Sequence, residues 1–159
     1  MQKTHNTLSQ SIREQAAQAL NKHLAAAIDL HGQLKQAHWN VRGPHFIAIH
    51  ELFDKAATEA DAFTDQFAER AAALGAIAEG TVQVAAANSF LVPYPLQIAD
   101  ENQHIFAVAA TLAAFGQSAR EAIDKTAAIG DADTADLFTE VSRKVDQLLW
   151  LVESHVAPR

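Results

Sequence analysis

Apolar residues recur every three to four positions through most of this chain, which is the period of an amphipathic helix. The first run, from Leu8 to Trp39, carries Leu8, Ile12, Ala16, Leu20, Leu24, Ile28 and Leu34 on one stripe. Gly43-Pro44 then interrupts the pattern, and Pro44 suits the first turn of a second helix that ends near Leu74, before Gly75. Ile49, Phe53, Ala56, Ala60, Phe63 and Phe67 form its core face. Residues 75–97 lose the period: they hold Gly80, Asn88-Ser89 and Pro93-Tyr94-Pro95, with room for one short helix over Val82–Ala87. A third helix is expected from Ile98 to Ala128, built on Ile105, Val108, Leu112 and Phe115. Gly130 stops it, and Asp131 or Asp133 caps a fourth, with Phe138, Val141, Val145, Leu148 and Val152 inward. Four long helices and one long central connection predict an all-α four-helix bundle, in which the crossover lets two neighbouring helices run the same way. The chain reads as a single domain over 1–159, with residues 1–7 as a flexible polar tail and 154–159 as a short second one.

A second stripe runs beside the apolar one on the second helix: His50, Asp54, Thr58, Asp61, Asp65 and Glu69. Its spacings alternate between four and three, and the 11-residue step from Asp54 to Asp65 returns to within ~20° of the same direction. A solvated acidic face is the ordinary reading of such a stripe. Against it, the stripe contains no lysine or arginine, and like charges one turn apart destabilise a helix. Its first turn also faces His38 across the Gly43-Pro44 break. Two imidazoles and a carboxylate suit iron, zinc or manganese.

Asp54 and Asp65 lie about 16 Å apart along the helix axis, from the rise per residue. Metal–ligand bonds are only ~2 Å long, so one metal cluster cannot use both ends of one helix. If the ends share a site, they come from different chains. A two-fold axis that sets two copies of this helix antiparallel would bring His50 and Asp54 of one to Asp65 and Glu69 of the other, twice per dimer.

Composition narrows the classes without choosing among them. The chain has 159 residues, enough for one domain with a sizeable core, and no cysteine, which excludes disulfides and thiolate metal sites. The formal net charge of -7 argues against a surface built to cover nucleic acid. The opening MQKTHNTLSQ is polar, and no apolar run resembles a signal peptide or a membrane span, so a cytoplasmic protein is expected.

The segment HWNVRGPHFIAIHELFDKAATEADAFTDQFAER, together with PYP, DADTADLF and WLVE, resembles the Dps family, the DNA-binding proteins from starved cells, which are ferritin-like mini-ferritins. The family pattern opens on a histidine in a His-Trp-Asn-Val-x-Gly segment. A second histidine follows 12 residues on, an aspartate four later, and Asp-x-x-x-Glu 11 after that; His38, His50, Asp54, Asp65 and Glu69 match in type and spacing. The resemblance implies a ferritin-like four-helix bundle with the short helix in its crossover. It implies a ferroxidase centre between two-fold related subunits, with His38, His50 and Asp54 acting beside Asp65 and Glu69 of a second copy. The implied substrate is Fe(II), oxidised preferably by hydrogen peroxide and stored as ferric oxide in a hollow dodecamer. Zinc and other divalent metals could occupy the same ligands. Protection against oxidative stress follows from that activity. Trp39 adjoins a ligand and is either packing or an electron donor when one iron is present.

Other features are weaker. Glu101-Asn102-Gln103-His104 has the Glu-x-x-His form of core di-iron bundles, but a single copy reads as a surface or capping feature. His31 and His45 read as packed or exposed, His5, His23 and His155 lack metal partners at helical spacing, and Trp150 as core or interface. Asp131, Asp133 and Asp136 cluster at a helix start, where capping and dipole charge explain them as well as an acidic iron-entry pore does. DNA binding in the family usually traces to a lysine-rich arm; here Lys3 and Arg159 are the only basic residues near the ends, so weak or no DNA binding is expected. The alternative to an iron-oxidising protein is a DNA-binding nucleoid or interaction protein that uses the shell as architecture.

Overall fold

The structure is a computed structural model, and it describes residues 1–156. The end of the expected C-terminal tail, including Arg159, lies outside the described residues. Five helices follow one another: α1 (Gln10–Asn40), α2 (Phe46–Ala73), α3 (Val82–Asn88), α4 (Glu101–Ala128) and α5 (Ala132–Glu153). Four are long and α3 is the short helix of the crossover.

Local chemistry sets the ends. Ser9 caps α1 by accepting from the Ile12 N–H, Thr81 does the same for α3 through Val84, and Asp131 caps α5 through Thr134. Gly75 and Gly130 sit just past α2 and α4 at φ 85° and 91°, the left-handed conformation that closes a helix most readily without a side chain. Two boundaries differ from the sequence expectation. Helix α2 begins at Phe46 rather than at Pro44. Helix α4 begins at Glu101 rather than Ile98, because the Asp100 side chain accepts from the Asn102 N–H and makes that residue the cap.

The topology follows from three contacts. The Arg42 N–H donates to the Ala99 carbonyl, and Glu101 accepts from His45, so α4 starts at the same end of the bundle as α2. At the other end Arg70 meets Asp131, which puts the start of α5 beside the end of α2. Helices α2 and α4 therefore run the same way, and α3 lies along α1 within the long crossover.

The predicted inward positions of α2, α4 and α5 are all buried. Phe53, Phe67, Phe115 and Phe138 are completely covered, each such ring contributing roughly 1.5–3 kcal/mol of apolar burial. On α1, Leu20, Leu24 and Leu34 are buried, while Ile12 and Ile28 are half-buried at the margin, as is Leu8 just before the helix. Three consecutive alanines, Ala25 to Ala27, have no exposed surface and let neighbouring helices pack closely. Trp150 is exposed on α5 and is not part of this core. Among the described residues no helix is long and apolar enough to cross a membrane.

Candidate metal centre

His38 is two residues before the last residue of α1 and His50 is on the second turn of α2. The two rings stack with centroids 3.7 Å apart and planes 20° from parallel. Each ring makes the same bond to the other's backbone: His38 Nδ1 lies 2.8 Å from the His50 carbonyl, and His50 Nδ1 lies 2.8 Å from the His38 carbonyl. A carbonyl only accepts, so both Nδ1 atoms carry the proton. Both Nε2 atoms then keep a free lone pair, which is the tautomer a metal needs. Phe46 packs on His50 at 4.9 Å and further restricts its ring.

Asp54 is one turn further along α2, with Oδ1 4.0 Å from His38 Nε2. It is half-exposed and accepts a hydrogen bond from Lys35 Nζ of α1 at 2.5 Å. That bond, with the nearby positive charge of Lys35, holds the Asp54 carboxyl below the ordinary carboxylate range. The cation that the stripe itself lacks thus arrives from α1. The same ammonium lies 5.8 Å from the Trp39 ring centroid. Trp39 is 65% exposed, so within one chain it packs against little besides Lys35.

Asp65 and Glu69 lie further along the same face of α2, both exposed. Asp65 and Asp61 border a shallow groove between α2 and the crossover, closed on one side by Ala78 and Gly80. Among the described residues no group of three or more histidines and carboxylates is arranged to hold a metal within one chain. The helix keeps its two acidic ends apart, so within a single chain His38, His50 and Asp54 stand well away from Asp65 and Glu69.

The pore candidates separate. Asp131 is buried and fully used: Oδ1 accepts from Arg70 Nη2 at 2.8 Å, and its carboxylate accepts from the Thr134 N–H and hydroxyl. Asp133 and Asp136 are exposed. Among the histidines, His31 is half-buried with its Nδ1 3.0 Å from the Ala57 carbonyl. His23 is buried among Phe67, Phe90, Phe115 and Phe138, between the Ala19 carbonyl and the Ser118 hydroxyl. Burial lowers its pKa to about 4.

The Glu-x-x-His of α4 is not on the surface. Glu101 and His104 are 6% and 1% exposed. His104 Nδ1 lies 2.7 Å from the Tyr94 hydroxyl, and its Nε2 is buried with no hydrogen-bond partner. Burial lowers the His104 pKa and raises that of Tyr94. Glu101 caps a helix, as one sequence reading held, but the helix is α2, reached through His45. No local pattern signals a contact across 56 residues of chain.

A family model described as a ferritin-like domain matches residues 17–158. The chain is 40% identical over 154 residues to a DNA protection during starvation protein of Agrobacterium fabrum, covering 97% of this chain and 95% of that one. Among solved structures, Mycobacterium smegmatis Dps in a tetragonal form superposes with a TM-score of 0.93 at 28% identity, covering 98% of this chain and 95% of that one. Dps from Microbacterium arborescens in a high iron form superposes with a TM-score of 0.88 at 32% identity, covering 98% of this chain and 99% of that one.

Proposed function

We propose that this chain, which belongs to the Dps family of ferritin-like proteins, is a ferroxidase that oxidises Fe(II) at a site shared between two copies and stores the ferric product. Iron storage and DNA protection are the family's general business. The observation that carries the narrower reading is the reciprocal bond between His38 and His50, which leaves both Nε2 lone pairs free, that of His38 4.0 Å from the Asp54 carboxylate. Lone pairs of neutral imidazole hold Fe(II), and hard carboxylate oxygen favours Fe(III), so the set suits a metal that changes oxidation state in place.

On this reading His38, His50 and Asp54 of one chain are completed by Asp65 and Glu69 of a second. The two carboxylates of the second chain can bridge two irons. Each Fe(II) gives up one electron, the peroxide O–O bond breaks, two protons are taken up and two waters leave. Pairing the irons supplies both electrons at once and releases no hydroxyl radical, which is the chemical basis for protection against oxidative stress. Lys35 leaves Asp54 as Fe(II) enters, because an ammonium and a divalent cation on one carboxylate repel. Zn(II) would compete for the same ligands without turnover. Trp39, beside Lys35, would supply an electron when one iron is missing. Asp133 and Asp136 would draw iron toward an entry pore, while Asp131 anchors the helix behind them.

The proposed assembly is a hollow twelve-subunit shell in the cytoplasm. With a net charge of -7, DNA binding is weak or absent at physiological salt; retardation of DNA by the purified protein at moderate salt would overturn that part alone. The test of the main reading is stopped-flow Fe(II) oxidation with peroxide and with oxygen, beside a native mass measurement. Asp54→Ala and Glu69→Ala are expected to abolish rapid oxidation by peroxide and leave the assembly intact. Unchanged oxidation in both variants would refute the assignment.

A further inference from the structure

Glu101 contributes to no metal set, yet it is the most confined carboxylate near the turn that carries the two histidines. Its Oε2 accepts from the His45 backbone N–H at 3.0 Å and its Oε1 pairs with His45 Nδ1 at 2.9 Å. His45 immediately precedes α2 and makes no side-chain capping bond to that helix. The first N–H groups of any helix lack intrahelical acceptors. Here the acceptor for His45 is supplied by the first residue of another helix. The carboxylate comes so close to the turn that a Cβ at Gly43 would collide with it. Beside it the Arg42 N–H donates to the Ala99 carbonyl at 2.9 Å.

We propose that Glu101 is a positioning residue for the metal centre: it pins the Gly43–His45 turn to α4 and so fixes the offset between α1 and α2 that the His38–His50 pair requires. The argument is geometric. The reciprocal bonds join the last turns of α1 to the first turns of α2, and each bond exists at one relative setting of those helices. The turn between them has a glycine and no bond within itself beyond Phe46 N–H to the Gly43 carbonyl. Its fixed points are external, at Ala99 and Glu101. If the turn shifts, the imidazoles lose each other's carbonyls, and with them the tautomer that frees both Nε2 atoms. Glu101 is not itself a ligand in this arrangement, since both of its oxygens are taken by His45 donors. The His45 bond also holds the Glu101 carboxyl below its ordinary range, so the clamp stays ionised at neutral pH.

The inference rests on the ferroxidase reading, and Co(II) titration of the assembled protein separates the two. Co(II) reports ligand geometry by its absorption and does not turn over. If wild-type protein gives no imidazole–carboxylate Co(II) spectrum, the metal reading itself fails. If it does, Glu101→Ala is expected to raise the Co(II) Kd about tenfold, the lower end of the usual effect of outer partners of ligands. Gly43→Ala is expected to do the same by expelling the carboxylate, and the double variant to be no worse than either single one. Glu101→Gln restores affinity, since its carbonyl accepts from the His45 N–H and its amide donates to Nδ1 in the other tautomer. A merely structural residue would lower the melting temperature and leave the Kd of the folded protein unchanged. That outcome, or a Glu101→Gln as weak as Glu101→Ala, overturns the proposal.

Discussion

His38 and His50 hold each other by the same bond in both directions, each Nδ1 on the other's carbonyl at 2.8 Å. Neither ring is oriented by a separate carboxylate, the usual partner of a metal-binding histidine. The consequence is that the two cannot be perturbed independently. His38→Ala removes one proposed ligand and also one of the two bonds that join α1 to α2, and His50→Ala removes the other of each. Each single variant is expected to slow peroxide-driven Fe(II) oxidation at least about tenfold, and the double variant to be little slower than the worse single one. Stopped-flow rates of the four proteins close the cycle; additive losses would show that the rings act separately.

Lys35 offsets the charge of Asp54. Lys35→Met is expected to tighten Co(II) binding several-fold at low salt, and the gain should shrink at high salt, as screening weakens an exposed pair. The carboxyl of Asp54 should also move back up toward the ordinary range. A depressed carboxyl stabilises the fold above its unfolded pKa and loses that contribution as pH falls through the lower folded value. Wild type therefore keeps Asp54 ionised further into acid than Lys35→Met does, which side-chain carboxyl NMR titration measures directly.

His23 makes the core acid-sensitive. Its pKa drops from 6.5 to about 4, chiefly by burial, with Lys22 and Lys125 adding in the same direction. Between those values the unfolded chain takes up a proton here that the folded chain refuses. Stability is full above pH 6.5 and falls by up to roughly 3 kcal/mol as the pH reaches 4. Denaturation across that window should show the slope in wild type and a shallower one in His23→Gln.

Asp131 and Asp133 are expected to behave oppositely although they stand two residues apart. Asp131→Ala leaves Arg70 with the Thr134 hydroxyl and the more distant Asp133 and uncaps α5, at a cost of roughly 2–4 kcal/mol and a fall of several degrees in melting temperature. Asp133→Ala removes an exposed charge and should change stability by less than about 0.5 kcal/mol. If the pore proposal holds, Asp133→Ala paired with Asp136→Ala slows iron accumulation without touching the rate at the centre. Thermal melts and iron loading, run on the same samples, separate the two roles.

Periodicity made most of this fold legible. Every inward position named for α2, α4 and α5 is buried, because a 3.6-residue repeat of bulky side chains leaves little choice of face. The order of the donors along α2 was equally readable, and the resemblance that they carry led to the right family. Beyond the meeting of His38 with His50 across the Gly43-Pro44 break, contacts between elements were not readable. Lys35 reaches Asp54 from another helix, and Glu101 meets His45 across the whole crossover. A stripe read on one helix knows nothing of the cation facing it. The start of α4 was missed for a smaller reason: Asp100 is a better cap than anything near Ile98, and the apolar count gave it no weight. Of the two readings of Trp150, core or interface, its position on α5 removes the first by turning it to solvent.

If the two ends of the acidic stripe complete one site between copies, the distance along α2 between Asp54 and Asp65 is also an interlock. On the proposed reading, a newly made chain that has met no copy of itself would hold two unfinished halves, each too sparse to start redox chemistry on iron. On the proposed reading, the reaction is enabled by the same encounter that begins to build a container for its product. Oxidation is thereby kept from running ahead of storage, with no regulator beyond the length of one helix.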